Sequence, residues 1–275
     1  MIATEDIVYR RIDGRDLLAR LYKPAGVARC PVLIDVHGGA WVSGDRMNNA
    51  ALATRLAARG IVVMSIDFQL GGEAPCPASI TDVNHAVRWL KAQAASHGVT
   101  ADGIGLLGTS SGAHQALLTA LRPHDPDYGA PEAGSGPDAS VDFIVACWPI
   151  ADPLARYRMA QQRGIDHLLR AHETYFADEA QMETVNPQRV LERGEAQSTP
   201  PLLILQGTAD ENVTADMADR LAAAYRTAGG RVVLRTFEHE PHMFATKQPD
   251  SNAARLAIDA ICRFVEDVRL QRPRT

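Results

Sequence analysis

Six short apolar runs, separated by segments of helical character, constrain the fold of this chain more than any other feature. The runs are Val32–Val36, Ile61–Ile66, Ile104–Leu107, Phe143–Ala146, Leu202–Leu205 and Val232–Phe237. Near-continuous apolar runs of this length are typical of parallel strands covered on both faces, and their alternation with helices is typical of βα units. The sequence therefore predicts an α/β fold, with a mostly parallel central sheet and helices on both of its faces.

Local signals near the two ends of the chain predict further elements. Two extended runs, Ile7–Ile12 and Leu17–Tyr22, flank an Asp-Gly pair, which is typical of a β-hairpin. The run from Ser79 to Asp82 resembles a capping box, with Asp in place of the commoner Glu, and predicts a helix start. Near the end of the chain, apolar residues at a helical period predict a helix that packs on the sheet: Ala254, Ile258, Ile261, Val265 and Val268.

Two segments interrupt the regular alternation. The first, Pro123–Pro137, is rich in Pro, Gly and Asp, and the second, Asp152–Ser198, is polar and helix-prone. We interpret both as excursions over the edge of the sheet and the second as a small helical cap. The sequence thus predicts one domain over residues 1–275 that carries a helical cap insertion at 151–198. A chain of 275 residues buries enough surface to fold without disulfides, and its four cysteines form no C-x-x-C pair, so we expect free thiols.

Charge and hydropathy narrow the choice of partners. The chain has 28 Lys and Arg against 33 Asp and Glu, with no basic run, which argues against nucleic acid as a partner. No apolar stretch approaches the roughly 18 residues of a membrane span. The segment Met1–Arg11 carries four charged residues, Glu5, Asp6, Arg10 and Arg11, where a signal peptide would need an apolar block. We therefore predict a cytoplasmic location and a small-molecule substrate, and a homodimer remains a hypothesis.

A G-x-S-x-G pattern, Gly108 to Gly112, places Ser110 between an apolar run and a helix-compatible segment. This strand-turn-helix context is the one that a nucleophile elbow requires. Side chains two residues before and after the serine would collide with the neighbouring strand and helix, which explains the glycines. The pattern predicts Ser110 as a nucleophile; the alternative is a Gly/Ser-rich turn without chemistry.

The segment His37-Gly38-Gly39-Ala40-Trp41 directly follows another apolar run. Backbone N–H groups of Gly38 and Gly39, together with that of Ser111, are predicted to hold a developing oxyanion. We interpret His37 as an orienting hydrogen-bond donor and not as the base, because it belongs to the loop.

Candidates for an acid and a base follow the last two apolar runs. The acid candidates are Asp210, Glu211 and Asp216, and the base candidates are His239 and His242. In such a constellation the serine attacks, the histidine takes its proton and later returns it, and the acid holds the imidazole in the right tautomer. The order Ser, Asp, His along the chain is the one that α/β-hydrolases use.

Taken together, the segments HGGAW, GTSSG, GTADENV and HEPHMF resemble the α/β-hydrolase superfamily, and within it the hormone-sensitive-lipase-like esterases. The resemblance implies an α/β-hydrolase fold and a serine carboxylesterase that hydrolyses small to medium acyl esters through an acyl-enzyme. It selects Asp210, in a G-x-x-D-x-x-V segment, as the acid and His242, in an H-x-F segment, as the base. The sequence departs from the group's pattern at Ser111, Ala113 and Ala40 and over Phe68–Glu73, which weakens any inference about the substrate.

Several alternatives remain open. The same triad could cleave an amide, a formamide or a lactone, and a non-hydrolytic binding protein or lyase could reuse the fold. His239 and His242 are three residues apart, but Pro241 breaks the helix that such metal-ligand spacing needs, and no dinucleotide fingerprint is present, so we predict neither metal nor cofactor. Trp41 and Trp148 are predicted either to line the substrate pocket or to pack in the core, whereas Trp89 is predicted to pack.

Overall fold

A computed structural model describes residues 1–26, 29–130 and 136–271. It contains one eight-stranded sheet, in the order β1-β2-β4-β3-β5-β6-β7-β8. The strands β1 and β2 pair antiparallel, as do β2 and β4, and all other neighbours are parallel. The strands are β1 (Ile2–Ile12), β2 (Arg15–Pro24), β3 (Cys30–Val36), β4 (Val62–Ile66), β5 (Ala101–Thr109), β6 (Phe143–Cys147), β7 (Leu202–Gly207) and β8 (Val232–Phe237).

Helices cover both faces of this sheet. They are α1 (Ala50–Ala58), α2 (Ala78–Gln93), α3 (Ser111–Leu121), α4 (Pro153–Arg163), α5 (Asp166–Tyr175), α6 (Glu179–Thr184), α7 (Pro187–Glu192), α8 (Met217–Thr227), α9 (Phe244–Lys247) and α10 (Asn252–Gln271). One large apolar cluster gathers α2, α3 and α8, and the other gathers α1 and α10. The predicted α/β-hydrolase fold is confirmed, including the hairpin of β1 and β2 and the buried stripe of α10.

The parallel strands differ in how well they are covered. β4, β6 and β7 are buried along their whole length, as their apolar runs predict. β8 is only half-buried, with exposed residues at Arg235 and Thr236. The prediction of a strand covered on both faces is wrong here, because β8 lies at the edge of the sheet and pairs with β7 alone.

The predicted capping box is also wrong. Helix α2 begins at Ala78, so Ser79 lies inside its first turn, and no side chain caps this end. The Ser79 hydroxyl instead lies 2.7 Å from the Tyr175 hydroxyl, and the Asp82 carboxylate accepts the Gln69 N–H at 2.7 Å and also pairs with Arg10. Both side chains are thus taken by partners from distant parts of the chain.

Helices α4 to α7 fill most of the segment 151–198, between β6 and β7. Side chains of Asp152, Asp178 and Asn186 accept backbone N–H groups in the first turns of α4, α6 and α7. The described part of the stretch Pro123–Pro137 includes a 3₁₀ turn, Pro126–Tyr128, and residues 131–135 lie outside the described residues. Across the described ranges, no helix combines the length and apolar character that crossing a membrane requires.

Candidate active site

Ser110 stands between the end of β5 and the first residue of α3. Its backbone has φ 54° and ψ −118°, a conformation that residues with a side chain rarely adopt. Its N–H donates to the Cys147 carbonyl at 2.9 Å, which fixes the turn to the neighbouring strand β6. This geometry is that of the predicted elbow, and it projects the hydroxyl at the carboxyl edge of the parallel strands.

The two flanking glycines are required by close contacts. A Cβ on Gly108 would lie 2.4 Å from Ala113 Cα, and a Cβ on Gly112 would lie 2.0 Å from the Val36 carbonyl oxygen. Both separations are far below van der Waals contact. The elbow therefore admits no side chain at either position, as the sequence pattern indicates.

The structure brings Ser110, His242 and Asp210 together in one chain of hydrogen bonds. The Ser110 hydroxyl lies 2.9 Å from His242 Nε2, and His242 Nδ1 lies 2.7 Å from Asp210 Oδ2. The histidine side chain is 10% exposed and that of the aspartate 2%. His242 Nδ1–H donates to the carboxylate, so Nε2 keeps the lone pair that can accept the serine proton.

Two further residues hold the Asp210 carboxylate. Gln206 Nε2 donates to Oδ2 at 2.8 Å, and the Asn212 N–H donates to Oδ1 at 2.8 Å. Burial alone would raise the pKa of Asp210, but the hydrogen bonds from His242, Asn212 and Gln206 outweigh it and lower that pKa. Sequence reasoning missed Gln206 and Asn212, although both lie within four residues of the acid.

The competing acid and base candidates lie elsewhere. The His239 side chain is 90% exposed and lies 3.7 Å from Glu238, and the Asp216 side chain is 64% exposed and pairs with Arg220. Glu211 is exposed as well. Within the part of the chain that the structure describes, no group of three or more His, Cys, Asp or Glu side chains could hold a metal ion.

The glycine loop, His37–Trp41, lies beside the elbow, Gly108–Gly112. Among the turn and loop hydrogen bonds of the described residues, none uses the N–H of Gly38, Gly39 or Ser111 as its donor. The loop is tied to the elbow by the Trp41 N–H, which donates to Ser111 Oγ at 3.2 Å. A Cβ on Gly39 would lie 1.9 Å from the Ser43 carbonyl oxygen, so this glycine is required by its surroundings.

His37 lies under this loop and away from Ser110. Its Nδ1 is 2.6 Å from the Gly38 carbonyl oxygen, and its ring stacks on Phe68 with centroids 4.2 Å apart. Burial lowers the pKa of His37 and favours the neutral ring. A neutral Nδ1–H donor to the loop carbonyl is the orienting arrangement that the sequence predicts.

Both predicted pocket tryptophans are buried. Trp41 has no exposed surface; its ring stacks on Tyr175 of α5, and its Nε1 donates to His114 Nδ1 at 3.2 Å. Trp148 is 1% exposed, and its ring centroid lies 6.5 Å from that of His242. In this structure both rings pack in the core, so substrate contact by either one stays a prediction.

Backbone strain concentrates around this site. Among residues 1–26, 29–130 and 136–271, seven residues other than glycine have positive φ. Six of them belong to the elbow, the glycine loop, the end of β6 or the loop that carries His242: Ala40, Trp41, Ser110, Trp148, His239 and Met243. Such conformations cost on the order of 1 kcal/mol each and persist only where the surrounding structure enforces them. Their clustering marks the carboxyl edge of the sheet as the functional region.

A buried polar network lies directly beneath the elbow. Asp35, which is 2% exposed, accepts hydrogen bonds from Asn49 Nδ2 at 2.8 Å and from Ser65 Oγ at 2.7 Å. Asn49 Nδ2 also lies 3.2 Å from the hydroxyl of Thr109, the residue before the nucleophile. Burial raises the pKa of Asp35 to about 6, against the lowering effect of these hydrogen bonds. Sequence analysis missed this network.

The sheet order, the strained serine at the end of β5 and the Ser–His–Asp hydrogen bonds define an α/β-hydrolase of the esterase group. Comparison with known proteins agrees. The family model described as BD-FAE matches residues 20–225, which is most of the chain. The chain therefore belongs to the BD-FAE family.

The chain is also similar to named esterases and to solved esterase structures. Esterase LipC of Mycobacterium tuberculosis is 32% identical over 217 residues, which are 74% of this chain and 51% of LipC. The propionate-bound structure of esterase 2 from Thermogutta terrifontis has a TM-score of 0.79 and 26% identity, and the match covers 99% of this chain and 97% of that one. The same esterase phosphonylated by sarin matches with a TM-score of 0.81 and 25% identity, over 98% and 97% of the two chains. The chain spans about half the length of curated relatives such as LipC.

Proposed function

We propose that the chain is a serine carboxylesterase in which Ser110 is the nucleophile, His242 the base and Asp210 the acid. The hydrogen-bonded series from Ser110 Oγ through His242 to Asp210 carries this proposal. The 2.9 Å between Ser110 Oγ and His242 Nε2 suits proton transfer, and the 2.7 Å between His242 Nδ1 and Asp210 suits the bond that orients the ring. The free N–H groups of Gly38, Gly39 and Ser111 form the oxyanion hole. The matched relatives and solved structures are esterases, which supports the same reaction.

The reaction proceeds in two acyl transfers. His242 Nε2 takes the Ser110 proton as the oxygen attacks the ester carbonyl, and Asp210 stabilises the imidazolium that forms. The three N–H groups bind the negative charge that develops on the carbonyl oxygen. His242 then protonates the leaving alcohol, which leaves an acyl-Ser110 ester. A water molecule activated by the same histidine hydrolyses that ester and restores the enzyme.

The substrate is a small-molecule ester with a small or medium acyl group. The matched esterase 2 structure holds propionate, which supports a short acyl chain. The segment 151–198 acts as a cap over the site, because Tyr175 and Phe176 at the end of its helix α5 pack on Trp41 of the glycine loop. A substrate reaches Ser110, which is 5% exposed, when these helices move aside.

The test is hydrolysis of p-nitrophenyl acetate by the wild-type chain and by Ser110→Ala and Ser111→Ala. Ser110→Ala should lose on the order of 10³-fold or more in kcat, because the nucleophile is removed while the binding groups stay. Ser111→Ala keeps the backbone N–H and loses only the bond from the Trp41 N–H to its hydroxyl, so it should stay within about tenfold. A phosphonofluoridate probe should phosphonylate the Ser110 oxygen with loss of hydrogen fluoride, which adds the mass of the phosphonyl group to the wild-type chain and not to Ser110→Ala. Full activity in Ser110→Ala would overturn the proposal.

A further inference from the structure

Arg156 of helix α4 is a buried cation that the proposed reaction does not use. The residue is 1% exposed, and charged side chains are almost never buried to this extent without an ionic partner. Among the described residues, no carboxylate lies within ion-pairing distance of its guanidinium. Burial lowers the pKa of Arg156 to about 10, against the opposing effect of Asp210, so the group remains a cation near neutral pH.

The Arg156 guanidinium lies between Trp41 of the glycine loop and Asn212, which follows Asp210 closely in the chain. On one side its Cζ is 5.9 Å from the ring centroid of Trp41, in the glycine loop. On the other side its Nε donates to the Asn212 carbonyl oxygen at 2.8 Å, and its Nη2 donates to Asn212 Oδ1. Asn212 in turn donates its N–H to the Asp210 carboxylate. A group bound to Arg156 would therefore lie under the same helices that cover Ser110.

One nitrogen of the guanidinium has no partner. Asn212 occupies Nε and Nη2, while Nη1 is buried without any hydrogen bond. Leaving a charged donor unpaired in a buried site costs more than leaving a neutral one. Two fixed nitrogens also hold the third in one direction, which is the preorganisation that recognition of an anion requires.

We infer that Arg156 binds an anionic group of the substrate, and that the preferred esters carry a carboxylate. This inference rests on the proposed esterase function and names the substrate class for the same site. The carboxylate supplies the counter-charge that the buried guanidinium lacks and the acceptor that Nη1 lacks. It could belong to the acyl part or to the alcohol part of the ester, and both would meet the same cation.

The experiment compares matched esters that differ in this charge. For the acyl part, p-nitrophenyl hemiglutarate is compared with p-nitrophenyl pentanoate; for the alcohol part, the butyrate ester of glycolate is compared with ethyl butyrate. The wild-type chain should favour the charged ester of at least one pair by about 10- to 100-fold in kcat/KM, the range of a charge-assisted hydrogen bond. Free glutarate should also inhibit the wild-type chain more strongly than pentanoate does, and this measurement needs no variant.

Variants assign the preference to Arg156. Arg156→Met should lose it, whereas Arg156→Lys should keep part of it, because the charge remains. Arg158→Gln is the matched control: it lies on the same helix, is exposed and pairs with Glu179, so the preference should not change. Equal rates for both members of each pair in the wild-type chain would overturn the inference, as would an equal loss on charged and neutral esters in Arg156→Met, which would make Arg156 a positioning residue for the Asp210 loop. Failure of the proposed function is distinct from both, since it shows as hydrolysis without Ser110.

Discussion

Ser110 can hold its strained backbone because the two residues at the ends of the elbow, Gly108 and Gly112, have no side chains. Gly112 shows this best, since a Cβ there would meet the Val36 and His37 carbonyl oxygens at 2.0 and 2.4 Å, both in backbone that cannot move aside. Gly112→Ala should therefore lower the free energy of unfolding by about 2 kcal/mol or more. Gly72→Ala is the control, because its added methyl would meet nothing within 4 Å. Equal urea midpoints for the two variants would contradict this account of the elbow.

A second prediction at the scale of single residues concerns Asp210 and kcat of the proposed reaction. Asp210→Asn keeps the shape of the side chain but removes the charge that, in the proposed reaction, stabilises the imidazolium and selects the tautomer of His242. A loss of about 10⁴-fold in kcat is expected, as for the equivalent change in a serine protease. Asp216→Asn, a nearby exposed carboxylate that pairs with Arg220, should leave kcat within about twofold. A large loss in Asp216→Asn instead would move the acid to that position.

Motif residues could be predicted from the sequence, but their supporting residues could not. The pattern around Ser110 selects that residue, whereas the pattern left several acid and base candidates after the last two apolar runs, and only the family resemblance chose Asp210 and His242 among them. Arg156 carries no such signal, because its role depends on Asn212 and Trp41, which lie 56 residues after it and 115 before it. Trp41 illustrates the same limit: its position beside the glycine loop is visible in the sequence, but its burial against Tyr175 depends on how α5 folds back.

At the scale of elements, a small aromatic cluster attaches helix α5 to the glycine loop and to α3. Phe176, which is 2% exposed, contacts the rings of Trp41, His114 and Tyr175 with centroids 4.8 to 5.9 Å apart. Phe176→Ala should cost about 3 to 5 kcal/mol of unfolding free energy. Hydrogen exchange should accelerate more in α5 than in β3 to β7, since the lost contacts hold α5 to the rest of the chain.

Leu256→Ala serves as the control for that measurement, because this leucine of α10 is 47% exposed and its truncation removes little buried surface. Uniform acceleration of hydrogen exchange over α5 and the central strands in Phe176→Ala would contradict this prediction, because it would show that α5 unfolds only together with the sheet.

Elements whose signals are local were predicted well, and those decided by neighbours were not. The Asp-Gly turn of the β1–β2 hairpin and the stripe of α10 need only adjacent residues or one helical face. The start of α2 depended on Tyr175 and Arg10, which claim Ser79 and Asp82 from far along the chain. The exposure of β8 depended on its place in the strand order, which its apolar run does not report.

At the scale of the whole molecule, buried titratable groups couple stability to pH. Burial lowers the pKa of His114 to about 4, so the folded chain keeps this ring neutral while the unfolded chain protonates it from about pH 6.5 downward. Stability from this group is complete above the unfolded pKa and is lost as the pH falls towards the folded one, by about 3 kcal/mol in total. The stability advantage of the wild-type chain over His114→Gln should shrink by that order between about pH 7 and about pH 4. An advantage that does not change with pH would contradict it.

Asp35 acts in the opposite direction, and its effect should be visible under the conditions in which the proposed esterase works. Burial raises its pKa to about 6, above the ordinary value of about 4, so its contribution to stability is complete below the unfolded pKa and is lost as the pH rises through about 6. Above that range the folded chain carries a buried carboxylate that costs about 3 kcal/mol relative to the neutral form.

Asp35→Asn removes this cost, because the amide oxygen can accept the Asn49 donor and the Ser65 hydroxyl can rotate to accept from the new amide. Thermal unfolding should therefore show Asp35→Asn gaining stability relative to the wild-type chain on going from about pH 5 to about pH 8. Asp138→Asn is the control: Lys91 and Ser140 hold the pKa of this carboxyl well below its usual range, so it stays ionised in both the folded and the unfolded chain over this pH range, and its stability difference from the wild-type chain should not change. The same upward trend in both variants would rule out the assigned role of Asp35.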